Sequence, residues 1–199
     1  MFITFEGIDR AGKTTQARML ADAMGPDALL VREPGGTPES ERIRELVKDP
    51  AASFSPVSET LLFGAARAEL VERVVRPALE RGQVVVCDRY VDSTVAYQGG
   101  ARGLGIARVE ELNDWITGGL WPDVTFLLDL PPGMAGEREG EMDRLEGEGE
   151  ELQRAVAAAY DELAGRHPGR YVRIDAGRAP DEVHADVLAE VRRRTGAPR

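Results

Sequence analysis

Short apolar runs alternate with longer amphipathic stretches along the whole chain. Phe2-Ile3-Thr4-Phe5-Glu6 reads as a β-strand, followed by a glycine loop and a helical pattern over 13–24 that Gly25-Pro26 stops. A second strand spans 28–33 and ends at Pro34-Gly35-Gly36. Thr37 stands as N-cap to a helix starting near Pro38, with Ser40 and Glu41 in its first turns and Ile43, Leu46 and Val47 as its apolar positions. A longer helical pattern runs over 58–81, where Pro77 predicts a kink or break and Gly82 the end. The run 83–87 is apolar almost throughout, as in a strand buried on both faces. A helix over 109–118, a strand over 123–129, a helix over 152–163, a strand over 171–175 and a helix over 180–194 complete the pattern. Strands alternating with helices predict a three-layer α/β/α fold on a five-stranded parallel sheet, one domain over 1–199. Between 133 and 150 there is much charge and no apolar stripe.

Composition narrows the partners. The formal charge of −10 opposes a nucleic-acid backbone, so nucleic acid is not expected, although a local cation cluster suffices for a mononucleotide. No apolar run reaches the ~20 residues of a membrane-spanning helix, so no membrane association is expected. The first strand begins at Phe2, which leaves no room for a signal peptide, and the single cysteine, Cys87, reads as a small core residue in a reducing compartment. Both observations point to the cytoplasm. Lysine occurs only at Lys13 and Lys48. Against that bias toward arginine, a lysine inside a glycine loop is informative, because a compact ammonium can follow a moving phosphate as a planar fork cannot.

Gly7-Ile8-Asp9-Arg10-Ala11-Gly12-Lys13-Thr14 carries P-loop spacing between a strand and a helix. Its glycines turn backbone N–H groups inward around an anion, and the helix points its positive end at the phosphates. Lys13 is expected on the β- and γ-phosphates of ATP and Thr14 on Mg²⁺. Asp88-Arg89 closes the third strand, where open α/β sheets bind ligands. An acid there can hold a magnesium water shell and an arginine can clamp a phosphate; the competing reading is a surface ion pair. Glu33-Pro34-Gly35-Gly36-Thr37 reads equally as a ligand approach or a tight turn. Phe63 and Arg67, four apart on one helical face, could stack and hydrogen-bond a base, or be a core phenylalanine beside a surface arginine. The stretch 136–146 is either a solvated loop, favoured by its eight acids between Glu137 and Glu151, or a lid carrying arginines over ATP.

Taken in order, these segments resemble the thymidylate (dTMP) kinase family. Phe5-Glu6-Gly7 through Thr14-Thr15-Gln16 is similar to that family's P-loop, and Arg32-Glu33-Pro34-Gly35-Gly36-Thr37 to its second signature. Asp88-Arg89-Tyr90 with Ser93, Ala96, Tyr97, Gln98 and Gly99-Gly100 resembles the third, Asp143-Arg144-Leu145-Glu146 the end of the lid, and Ile174-Asp175-Ala176 the adenine-side loop. The resemblance implies γ-phosphoryl transfer from ATP–Mg²⁺ to dTMP. It implies that Gly7 to Thr15 and Arg144 bind ATP, and that Thr14 and Asp88 serve the metal. Asp9 would hold the dTMP 3′-hydroxyl and Arg89 the acceptor phosphate. Phe63 would stack on thymine, Arg67 bond its O4, and Tyr97 crowd the 2′ position, with Glu33, Ser93 and Gln98 also at the substrate. Asp9, Arg10, Lys13 and Arg89 would form the catalytic set. Arg10 places the catalytic cation in the loop, while Arg138 stands in an acidic lid that is short for the arginine-rich form. The family is usually a homodimer, which puts the 58–81 helix on a twofold axis. A deoxynucleoside kinase, another nucleoside monophosphate kinase, and a P-loop regulator remain as alternatives. For the last, the Asn-Lys-x-Asp run of guanine recognition is absent from the sequence.

Overall fold

The architecture is taken from a computed structural model that describes residues 1–135 and 149–196. Most of the predicted lid, with Arg138 and Arg144, lies outside the described residues. Five strands, β1 (Phe2–Glu6), β2 (Leu29–Arg32), β3 (Val85–Asp88), β4 (Val124–Asp129) and β5 (Tyr171–Asp175), form one parallel sheet in the order β2-β3-β1-β4-β5. β1 is central and buried along its whole length, so it faces a helical layer on each side. Ile3 and Phe5 share one face with Val86 and Phe126, against α1 (Lys13–Met24) and α9 (Pro180–Thr195). Phe2, Val85 and Cys87 share the other with Leu70, Val71 and Tyr90.

That second face is covered by α3 (Pro56–Leu70), α4 (Arg76–Glu80) and α5 (Val91–Thr94). α2 (Pro38–Lys48) and α6 (Ile106–Thr117) pack on α3, α8 (Glu150–Arg166) packs on the segment after α5, and the single turn α7 (Pro132–Ala135) packs on α8. Thr37 caps α2 as expected, its Oγ1 accepting the Ser40 N–H at 3.1 Å. The long helix differs from its sequence reading at both places that matter. It begins at Pro56 behind the cap Ser55, and the irregularity precedes Pro77. Val71–Val75 form a widened π turn in which the Arg76 N–H reaches Val71 O, so Pro77 enters as an early residue of α4, where its missing N–H costs nothing. The segment after β3, read only as a motif, is helical: α5 passes into a second π segment, Val95–Ala101.

Register brings the loops together. Phe5 pairs with Asp88, and Arg32 with Asp88 from the other side. The carboxyl ends of β1, β2 and β3 therefore stand level, and the phosphate loop, Glu33 and Arg89 emerge side by side at the edge where such sheets bind ligands.

Candidate active site

The phosphate loop is tight enough to require its glycines. Gly7 has φ 139°, and a Cβ there would stand 2.6 Å from Leu128 O. Gly12 (φ 97°) and Arg10 (φ 61°) also take left-handed backbone, which a non-glycine residue adopts only under strong local constraint. α1 opens with no side-chain cap and no acid in its first turn, in contrast to α2 and α3. Its leading N–H groups are thus left to a ligand, and an anion is the natural one. Lys13 is buried, with Nζ donating to Ile8 O at 2.5 Å. Burial, with the charge of Arg89, pulls its pKa down to about 8, against the pull of Asp9, Asp88 and Glu6.

At the end of β3, Thr14 Oγ1 donates to Asp88 Oδ2 at 2.5 Å. These two hard oxygen ligands suit Mg²⁺, which keeps several waters and takes other ligands from phosphates. Among the described residues no group of three or more His, Cys, Asp or Glu is placed to hold a metal ion.

A second cluster faces the loop. Asp9 Oδ1 accepts from Arg89 Nη2 at 2.5 Å and from the Tyr97 hydroxyl at 2.8 Å; Oδ2 accepts from Gln153 Nε2 at 2.6 Å. Burial would raise the Asp9 pKa, but Arg89 and Lys13, with the bonds from Tyr97 and Gln153, hold it below the usual carboxylate range. Arg89 has φ 67°, lies over the Tyr97 ring at 5.3 Å and donates to Ser93 Oγ at 3.2 Å. Ser93 in turn donates to Glu6 at 2.6 Å; Glu6 also accepts the Tyr90 N–H at 2.7 Å and the Tyr160 hydroxyl at 2.8 Å. Fully buried beside Asp92, Glu6 has its pKa pushed up to about 7, despite those hydrogen bonds and Arg89.

Arg67 is no surface residue. At 2% exposure it pairs with Glu33 at 2.6 Å and donates to Thr94 Oγ1 at 2.9 Å, Tyr90 O at 3.1 Å and Asn113 Oδ1. A buried guanidinium held from α3, α5, α6 and the β2 loop is a rigid donor array. Glu33 Oε1, by contrast, is buried without a hydrogen-bond partner among the described residues. Phe63 is half-buried, and Gln98 donates to the buried Glu59 at 3.0 Å.

One cavity of about 610 Å³ joins these groups, from Arg10, Lys13, Thr14 and Thr15 past Asp9, Asp88, Arg89, Ser93 and Tyr97 to Glu33, Phe63, Arg67 and Gln98. Gly7, Ile8 and Ala11 shape the loop behind it. The sequence reading missed Thr94, Glu6, Gln153 and the outer cations Arg18, Arg32, Arg44 and Lys48. Glu6 had a signal, a charge ending an apolar strand; Gln153 had none, being one polar residue on an amphipathic helix.

Comparison with known proteins gives this geometry a family. The profile of thymidylate kinase matches residues 5–187, from the end of β1 into α9. The chain belongs to the thymidylate kinase family. A thymidylate kinase of Deinococcus radiodurans is 46% identical over 98% of this chain and 97% of its own length. One of Chlorobium chlorochromatii is 44% identical over 98% and 95%. A crystal structure of thymidylate kinase from Ehrlichia chaffeensis superposes with a TM-score of 0.80 at 34% identity, covering 96% of this chain and 98% of that one. The phosphate loop, the Asp88-Arg89 corner and α8 all fall inside the matched thymidylate kinase region.

Proposed function

We propose that this protein transfers the γ-phosphoryl group of ATP to dTMP, giving dTDP and ADP. The observation that carries the reading is a single cavity shared by a phosphate loop, an arginine paired with a loop carboxylate, and a buried arginine beside an aromatic ring. The first suits a triphosphate, the second an acceptor phosphate, and the third a planar base with a carbonyl edge. Names carried by relatives at 44–46% identity agree.

In this reading the loop N–H groups and Lys13 hold the donor phosphates, and Arg89 holds the dTMP phosphate in line. An acceptor oxygen forms the new bond to the γ-phosphorus as the β–γ bridging bond breaks and its electrons leave with ADP. Arg10, projecting from the loop, stabilises charge on the phosphoryl in flight. Thr14 and Asp88 would hold Mg²⁺, which would supply neutralisation of phosphate charge. Asp9 and Tyr97, hydrogen-bonded to each other, border the sugar, while Arg67 and Phe63 take thymine with Glu33, Ser93, Thr94 and Gln98 around them.

A homodimer fits the apolar side chains left on neighbouring helices: Val57 and Leu61 on α3 are 55% and 54% exposed, and Trp115 on α6 is 80% exposed. Among the described residues no helix is long and apolar enough to cross a membrane. The free thiol of Cys87, buried and bonded to Arg89 O, fits a reducing cytoplasmic setting.

A coupled assay over dTMP, dUMP, dCMP, AMP, GMP and thymidine with ATP–Mg²⁺ tests the reading. Turnover of dTMP far above the others is expected. Equal or faster turnover of another monophosphate, or of thymidine, overturns it.

A further inference from the structure

α8 reaches the phosphate loop through one polar side chain. The helix is buried through Val156, Ala159, Tyr160 and Leu163, and Gln153, one turn earlier, is 8% exposed. Its amide makes two bonds to a single residue: Oε1 accepts the Asp9 N–H at 3.0 Å and Nε2 donates to Asp9 Oδ2 at 2.6 Å. Chemistry fixes this orientation, since a backbone N–H can only donate and an ionised carboxylate can only accept. The same peptide is held from its other side, where Ile8 O accepts from Lys13 Nζ at 2.5 Å. The Ile8–Asp9 peptide is therefore clamped at both its C=O and its N–H, one residue before the left-handed turn at Arg10. Tyr160 anchors the helix a second time, on Glu6 at 2.8 Å and Ser93 at 3.1 Å.

A packing role alone does not account for these contacts. An apolar side chain would fill the same volume without burying an amide, and both ends of this amide are spent on Asp9. We propose that Gln153 is a positioning residue for phosphoryl transfer. Its amide holds the Asp9 carboxylate against Arg89 and holds the Ile8–Asp9 peptide that Lys13 grips and Arg10 follows. It touches no reacting atom; it acts through Asp9. The inference rests on the kinase reading above, but it concerns how the loop is held and not which nucleotide accepts.

Two substitutions test it, with kinetics measured on whichever monophosphate the wild type phosphorylates. Gln153→Met keeps the volume and removes both bonds. The expected result is a fall in kcat of about 10- to 100-fold, the scale of a displaced or loosened site, with KM for ATP changed less than about threefold because the remaining loop N–H groups stay in place. Gln153→Glu is isosteric and sets a second carboxyl against Asp9, so the contact survives only while the pair shares a proton. The ratio of variant to wild-type kcat should be highest at acid pH and fall as pH rises. The charged and titratable groups around the pair are Glu6 on β1, Arg10 in the loop, Lys13 on α1, Asp88 at the end of β3, Arg89 after it, Tyr97 in the π segment and Tyr160 on α8. All are common to both proteins, so a limb in the ratio belongs to residue 153. A kcat for Gln153→Met within twofold of wild type, or a flat ratio for Gln153→Glu, overturns the proposal. Should the Met variant not fold, the pH ratio of the Glu variant decides alone. Failure of the wild type to use dTMP would overturn the substrate reading and leave these ratios measurable on its true acceptor.

Discussion

Arg10 and Lys13 sit differently in the phosphate loop. Arg10 lines the cavity from a left-handed turn, while Lys13 is buried against Ile8 O. Arg10→Ala should lower kcat by about 10²- to 10³-fold, the usual loss for a donor aimed at transition-state charge, with a smaller change in KM for dTMP. A raised KM with kcat unchanged would make Arg10 a binding residue. Lys13 offers a pH test. Its pKa in the free protein, about 8, reflects burial and the nearby Arg89 charge. Bound triphosphate brings negative charge to the ammonium and must raise that pKa. ATP binding near pH 8 should therefore take up a fraction of a proton, and near pH 6.5, where Lys13 is already charged, almost none. Calorimetric titration in buffers of different ionisation enthalpy measures the uptake directly. Equal uptake at both pH values would show that Lys13 is fully protonated before ATP arrives. The residues of the loop were legible in the sequence because spacing alone defines them. The burial of Arg67 was not, because a single sequence cannot tell a guanidinium on the surface from one buried by Glu33, Thr94 and Asn113, which lie 27 to 46 residues away.

At the scale of elements, the strands and most helices were visible because their apolar periods are clean; the two π segments were not. Gly99 and Gly100 sit in the second of them for a packing reason. A Cβ on Gly100 would stand 2.4 Å from the Ala159 Cβ, and one on Gly99 would stand 3.3 Å from the Ile106 Cα. Their missing side chains let α8 and α6 close on the segment, and the widened turn carries Tyr97 to Asp9. Close approach between distant elements leaves no local period to read. The cap of α2, which did leave one, has a function in the site. Thr37 Oγ1 accepts the Ser40 N–H, and Ser40 Oγ donates to Ala66 O at 2.8 Å, tying α2 to α3. α2 also carries Arg44 and Lys48 to the cavity. Thr37→Ala should cost about 1 to 2 kcal/mol and lower Tm by roughly 2 to 8 °C. Thr37→Ser, which keeps the hydroxyl, should restore most of it. An unchanged Tm in Thr37→Ala would mean that the cap adds nothing to the tertiary packing of α2.

The whole molecule is acidic, and its cavity is not. Against a net charge of −10, the cavity is lined among the described residues by eight cationic side chains and three acidic ones, and both lysines of the chain are among them. Such segregation focuses a positive field at the cavity, against the negative charge of the remaining surface. Arg67 and Arg89 are buried or half-buried, whereas Arg18 is exposed and Lys48 half-buried on the cavity wall, so these two contribute to the field felt outside. A double substitution, Arg18→Gln with Lys48→Gln, separates attraction at a distance from contact with the ligand. At ~10 mM ionic strength, where charges reach about 30 Å, kcat/KM should fall about three- to tenfold relative to wild type, with kcat moving less. At ~1 M, where the reach is about 3 Å, the two proteins should converge, because nothing beyond contact range is felt. A constant offset at every salt concentration would give the opposite answer: these cations would then touch the bound phosphates, and the donor site would extend past the phosphate loop to the cavity mouth.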